Sequence, residues 1–132
     1  KKNNISLDTN DFDLSFARGL SIEDGAATLI KFTSKIIASN IDLFLKDFLN
    51  KNIKVIICGG GRKNLNLIKQ IKLYTNKNLS FYSSEEYSLE GDFIESQAFA
   101  YLAIRSVLSL PISFPQTTGC SSPCTGGEII NY

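Results

Sequence analysis

Ile53-Lys54-Val55-Ile56-Ile57-Cys58-Gly59-Gly60-Gly61-Arg62-Lys63-Asn64 is the stretch on which the fold turns. Its first half is a short run of mostly β-branched apolar residues, which suits a strand buried on both faces of a sheet. Three glycines follow directly, and after them a segment with helical spacing. A turn without side chains between a buried strand and a helix lets a ligand approach the backbone closely. The first amides of the next helix then point at whatever is bound. Such a turn can hold a phosphate or the edge of a sugar-nucleotide. A plain strand-to-helix turn that needs glycine for steric reasons alone fits the same residues. Neither the G-x-G-x-x-G spacing of dinucleotide folds nor the Lys-Ser/Thr ending of a P-loop is present.

Outward from this stretch, 132 residues make one domain by size, with enough chain for a hydrophobic core. Hydrophobic residues at 43% and charged residues at 20% describe an ordinary globular chain. A net charge of +1 with no Lys/Arg cluster argues against nucleic acid as a partner. No apolar run is long enough for a membrane span, and no segment reads as a signal peptide. Three cysteines, with Cys58 expected inside the buried strand, favour a reducing cytoplasm over a disulfide scaffold. The chain contains no methionine, so it is expected to be a piece of a longer protein.

Residues 1–20 form a polar lead-in carrying Ile5, Leu7, Phe12, Leu14 and Phe16, mostly loop, with Phe12–Phe16 alternating as a short strand would. Ser21 to Asn50 carries the longest helical pattern. Ser21 and Asp24 form a capping box, and Leu29, Thr33, Ile36, Ile37, Asn40, Ile41, Phe44, Leu45 and Phe48 make the inward stripe. Asn50-Lys51-Asn52 then turns the chain into the strand. A second helix is predicted from Asn64 to Tyr74, closed by Asn76 to Asn78, and a second strand at Leu79–Tyr82 completes a β-α-β unit. Ser83 to Glu90 reads as a polar loop. A third helix is predicted from Asp92 to about Leu110, with Phe93, Ile94, Ala98, Tyr101, Leu102 and Leu108 inward and Pro111 as its stop. Residues 111–132 are an irregular tail of turns.

Asp92 and Glu95 stand one turn apart at the start of the third helix. They serve either as dipole-stabilising charges or as acceptors for the hydroxyls of a sugar or polyol. Cys58, Cys120 and Cys124 make no zinc set without histidine, and no base is at hand for a nucleophilic thiol. Arg62 and Lys63 fit solvated surface charges better than an anion site.

Several segments occur in one order: Asp24-Gly25-Ala26-Ala27-Thr28-Leu29, Cys58 to Asn64, Gly91-Asp92-Phe93-Ile94-Glu95-Ser96-Gln97-Ala98-Phe99-Ala100-Tyr101-Leu102-Ala103, Leu110 to Pro115, and Thr117-Thr118-Gly119. Together they resemble the C-terminal part of the anhydro-N-acetylmuramic acid kinases, over nearly the whole chain. The resemblance implies an α/β, ribonuclease H-like (actin-like ATPase) lobe, with a sheet around Ile53–Cys58 covered by helices. It implies a cytoplasmic bacterial enzyme that opens 1,6-anhydro-N-acetylmuramic acid with water while transferring the γ-phosphate of ATP, with Mg2+, in cell-wall recycling. Gly59, Gly60, Gly61 and Asn64 match the family's nucleotide-facing turn, and Asp92 and Glu95 its sugar-facing acidic helix start. No catalytic residue and no metal ligand is expected in this chain. The phosphate segment and the water-activating aspartate belong to an N-terminal lobe, the expected partner of an apolar face around Phe12, Leu14 and Phe16. A homodimer is left open. Ser96 and Ser109 depart from the commoner alanine and glycine at those places. The alternatives are a non-catalytic binding module that keeps the lobe fold, and a kinase for another sugar.

Overall fold

The computed structural model describes residues 9–48, 52–75 and 79–130. Ile5, Leu7, the Asn50–Lys51 turn and the Asn76–Asn78 closure, all named above, lie outside the described residues. The chain divides into two compact units. One runs from Leu14 to Ile94; the other comprises Glu95 onward together with the residues before Leu14.

The Leu14–Ile94 unit opens on a 3-10 turn, Ser15–Ala17, where the alternation predicted a strand. The amides of Ala17 and Arg18 close on the carbonyls of Leu14 and Ser15 (3.0 and 3.1 Å), and the Phe16 ring meets Phe32 at 5.0 Å. Helix α1 (Ile22–Phe44) follows. The Ser21 hydroxyl accepts the Asp24 amide at 3.0 Å, which is the N-cap half of the predicted capping box, while the Asp24 carboxylate accepts the Ser21 hydroxyl (3.0 Å) in place of the Ser21 amide. The helix stops at Phe44, and a separate 3-10 turn covers Lys46–Phe48.

The inward face of α1 is not centred where the hydrophobic stripe put it. Ser34 and Ala38 are its buried residues, whereas Thr33, Asn40, Phe44 and Phe48 are exposed. The reason is the partner. Helix α2 (Leu65–Tyr74) packs on α1, and small residues let the two backbones come close. Ser34 donates to the Ile30 carbonyl (2.7 Å) and reaches the Leu67 carbonyl of α2 at 3.5 Å, so its hydroxyl is satisfied inside the packing. From α2, Ile71 closes the same interface.

Strands β1 (Ile53–Ile57) and β2 (Leu79–Ser83) pair in parallel, Ile53 opposite Leu79 and Ile57 opposite Ser83, with α2 as the crossover. The expected β-α-β unit is therefore present. The expected burial of β1 on both faces is not. Ile53, Val55 and Ile57 are half-buried, while Lys54 and Ile56 are exposed. Among the described residues the sheet has two strands, and α2 lies over the Phe81 face, where Lys72 Nζ sits 5.5 Å above that ring. On the other face Lys54 Nζ reaches over Tyr82 and Tyr87 (5.7 and 5.8 Å). Cys58 follows the strand and is exposed, not buried within it.

In the second unit, helix α3 (Ile94–Val107) begins two residues later than Asp92 and ends before Leu110. Its end is a Schellman motif. The Leu110 amide bonds the Arg105 carbonyl (2.8 Å), the Ser109 amide bonds Ser106 (2.9 Å), and Ser109 takes φ 56°. Pro111 follows the stop rather than causing it, and its carbonyl accepts from Arg105 Nε at 2.8 Å. No residue of α3 is fully buried: Phe93 just before it, Ala98, Tyr101 and Leu108, all predicted inward, are exposed. An apolar helix face needs a covering layer, and the described remainder of this unit is mostly irregular chain. That tail contains a short helix α4 (Pro115–Thr118) and one antiparallel bridge between Ser113 and Cys124.

Candidate functional site

Parallel strands put their carboxyl ends on one edge, and in open α/β sheets ligands gather at that edge. Here the edge carries Cys58–Lys63 after β1 and Ser84–Tyr87, a 3-10 turn, after β2. Gly59 has φ 75° and ψ 176°, a conformation open to little besides glycine. Its amide donates to the Gly91 carbonyl at 3.0 Å, so the turn is tied to the segment that leads into α3. Gly60 starts a 3-10 turn, and a side chain placed there would meet nothing within 4 Å. At Gly61 a side chain would make ordinary contact with Leu67 at 3.7 Å. Asn64 caps α2, its side-chain oxygen accepting the Leu67 amide at 3.0 Å. Its NH2 group is not used by this cap.

Arg62 organises this edge. Its guanidinium holds Glu85 through Nε and Nη2 (2.7 and 2.6 Å), Asp92 through Nη1 (2.7 Å), and the Gly59 carbonyl through Nη1 (2.9 Å). Lys63 Nζ takes the second Asp92 oxygen at 2.8 Å. The Arg62 side chain is only 12% exposed, so the expectation of a solvated surface charge is corrected for Arg62. It holds better for Lys63, at 63%. Hydrogen bonds from Arg62 and then Lys63 lower the Asp92 carboxyl from 3.8 to about 2. The Glu85 carboxyl falls from 4.5 to about 2, first through the Ser83 hydroxyl and then through Arg62. The two carboxylates in turn raise Arg62.

Gly91 completes the cluster from behind. It is buried, and a methyl group there would lie 2.5 Å from both Arg62 Nε and Ser84 Oγ. Sequence reasoning missed Gly91, Ser84 and Glu85. The spacing Ser83-x-x-Glu86 was the available signal for a structured turn instead of a polar loop, and the Ser83 amide does bond Glu86 at 2.8 Å.

Asp92 lies in the turn ahead of α3, committed to Arg62 and Lys63, so the helical spacing that paired it with Glu95 does not apply to it. Glu95 sits exposed in the first turn of α3. Among the described residues no group of three or more His, Cys, Asp or Glu could hold a metal ion, and no helix is long and apolar enough to cross a membrane.

A parallel β-α-β unit with a glycine turn at its carboxyl edge, pinned by a shared arginine, makes the Leu14–Ile94 unit an α/β one. Residues 7–132 match the family model for anhydro-N-acetylmuramic acid kinase, and the chain belongs to that family. It is 50% identical over 129 residues to the anhydro-N-acetylmuramic acid kinase of Pelagibacter ubique, covering 97% of this chain and 34% of that protein. The Zymomonas mobilis enzyme of the same name is 43% identical over 124 residues, 94% of this chain and 32% of its own length. That of Caulobacter vibrioides is 42% identical over 128 residues, 95% and 32%. The chain thus spans about one third of the length of the curated relatives it matches.

Proposed function

We propose that the chain is the C-terminal lobe of an ATP-dependent anhydro-N-acetylmuramic acid kinase and contributes part of its nucleotide and sugar sites. The carrying observation is the glycine turn that follows β1, with open space at Gly60 and a backbone fixed by Arg62 and Gly91. A nucleotide can approach such a backbone, and the turn does not reorganise when it does. Arg62 is already neutralised by Glu85 and Asp92, so its role is to hold the turn and not to take phosphate. Glu95 is exposed and free to accept sugar hydroxyls.

Phosphoryl transfer needs charge neutralisation and positioning from several sides. The water-activating carboxylate, the phosphate segment and the carboxylates that accompany Mg2+ are assigned to an N-terminal lobe. That lobe would also cover the apolar outer residues of α3, and the pair would have the ribonuclease H-like architecture. Such an enzyme acts in the bacterial cytoplasm.

The test is turnover by the full-length protein. With ATP and 1,6-anhydro-N-acetylmuramic acid, mass spectrometry should find ADP and the ring-opened phosphosugar, and the 132-residue chain alone should make neither. Glu95→Gln should lower kcat/KM about ten- to hundred-fold, through weakened charge-assisted bonds, with thermal stability little changed. Wild-type kcat/KM in that variant would leave Glu95 a helix-end charge, and turnover by the lobe alone would overturn the division of labour.

A further inference from the structure

The two cations that follow the glycines are held very differently. Arg62 commits its guanidinium to Glu85, Asp92 and the Gly59 carbonyl and is largely enclosed. Lys63 is 63% exposed, and among the described residues its ammonium has one partner, Asp92 Oδ2 at 2.8 Å. An ammonium carries three donors, so this contact leaves two for another acceptor. Asp92 does not depend on the contact, because its other oxygen is bonded to Arg62 Nη1 at 2.7 Å. An exposed ion pair of this kind contributes little to stability, and it yields to a stronger anion. Lys63 also ends the 3-10 turn that Gly60 begins. In a 3-10 turn residues i and i+3 eclipse, about 6 Å apart along the axis, so Lys63 stands on the Gly60 side of the turn. That is the side where an added carbon would meet nothing within 4 Å. The four-carbon lysine stem spans such a distance.

We propose that Lys63 leaves Asp92 to pair with the phosphate chain of a nucleoside di- or triphosphate laid on the Gly60 backbone. This rests on the nucleotide reading of the glycine turn and adds the group that tells a phosphorylated ligand from a bare nucleoside. Arg62 is the wrong cation for that task. To reach a phosphate it would have to release Glu85, Asp92 and the Gly59 carbonyl, and with them the turn it fixes. Lys63 can move at little cost. Asp92 keeps Arg62 when the ammonium departs, and its freed oxygen turns to water, since that side chain is 51% exposed. A phosphate oxygen in turn offers the ammonium a charge-assisted hydrogen bond, and the remaining donors can take further oxygens of the chain.

The experiment titrates the full-length protein with ADP and with adenosine by calorimetry, as the parent and as Lys63→Met, Lys63→Arg and Gly60→Val. Lys63→Met should raise the Kd for ADP about tenfold and leave that for adenosine within about twofold. Lys63→Arg keeps the charge and should bind ADP nearly as the parent does. Added salt should weaken ADP binding more in the parent than in Lys63→Met. Gly60→Val tests the turn itself and should weaken both ligands. An unchanged Kd for ADP in Lys63→Met overturns the proposal, and if Gly60→Val still weakens binding the nucleotide reading stands without it. Equal losses of ADP and adenosine in Lys63→Met would make the residue a latch on Asp92 and overturn the proposal too. Unchanged binding of both ligands by Gly60→Val would overturn the nucleotide reading and the proposal with it.

Discussion

One added methyl group, placed in turn at Gly59, Gly60 and Gly91, separates the conformational, open and packed positions of the glycine edge. Gly60→Ala meets nothing within 4 Å in a backbone that is not left-handed, so it should be neutral or stabilise by about 0.4–1 kcal/mol through the unfolded chain. Gly59→Ala forces a side chain onto φ 75°, ψ 176°, at a cost of about 1–3 kcal/mol. Gly91→Ala drives a carbon to 2.5 Å from Arg62 Nε and Ser84 Oγ and to 2.7 Å from Arg62 Cζ. Neither neighbour can give way easily. Ser84 is wholly buried, and Arg62 is held by three acceptors. Overpacking of this kind costs about 1–3 kcal/mol, and it also displaces the guanidinium that joins the two strand ends. Urea unfolding at neutral pH, followed by far-UV circular dichroism, gives the three differences directly. Gly60→Ala should sit at or above the parent midpoint, and the other two clearly below it. Equal losses at Gly60 and Gly91 would refute the packing argument.

Two further perturbations follow from the same geometry. Ser109→Gly relieves the left-handed residue at the end of α3 and should stabilise the fold by about 1 kcal/mol, seen as a raised Tm; an unchanged or lower Tm would count against it. Asp92 and Glu85 have folded-state values of about 2, below their ordinary 3.8 and 4.5, so their pairing stabilises the fold above pH 4.5 and is lost as pH falls towards 2. Urea midpoints across that window should decline in the parent chain and decline less in Arg62→Met or at high salt, because both carboxylates are about half exposed.

Much of the fold was legible because it is local. The Ser21–Asp24 cap, the strand–glycine–helix order and the Asn64 cap are fixed by neighbours in sequence, and each stands where the residues put it. The α1 face was misread because hydrophobicity locates apolar residues, whereas a close helix crossing selects small ones, here Ser34 and Ala38. The burial of β1 and of α3 was misjudged because periodicity gives the apolar face of a segment and not what packs on it, and among the described residues β1 is at most half-buried and α3 has no buried residue. At the candidate site the glycines were visible as a pattern. The Arg62 cluster was not, since it joins residues up to 30 positions apart through one guanidinium.

The central claim is that the Gly59–Gly61 turn faces the nucleotide, and ATP affinity of the full-length Gly60→Val variant tests it most directly. A Cβ at Gly60 meets nothing within 4 Å, so the variant should fold with a thermal midpoint near the parent's. A branched side chain there occupies the space a nucleotide needs, and the Kd for ATP measured by calorimetry should rise at least about tenfold. An unchanged Kd in a well-folded variant would contradict the account.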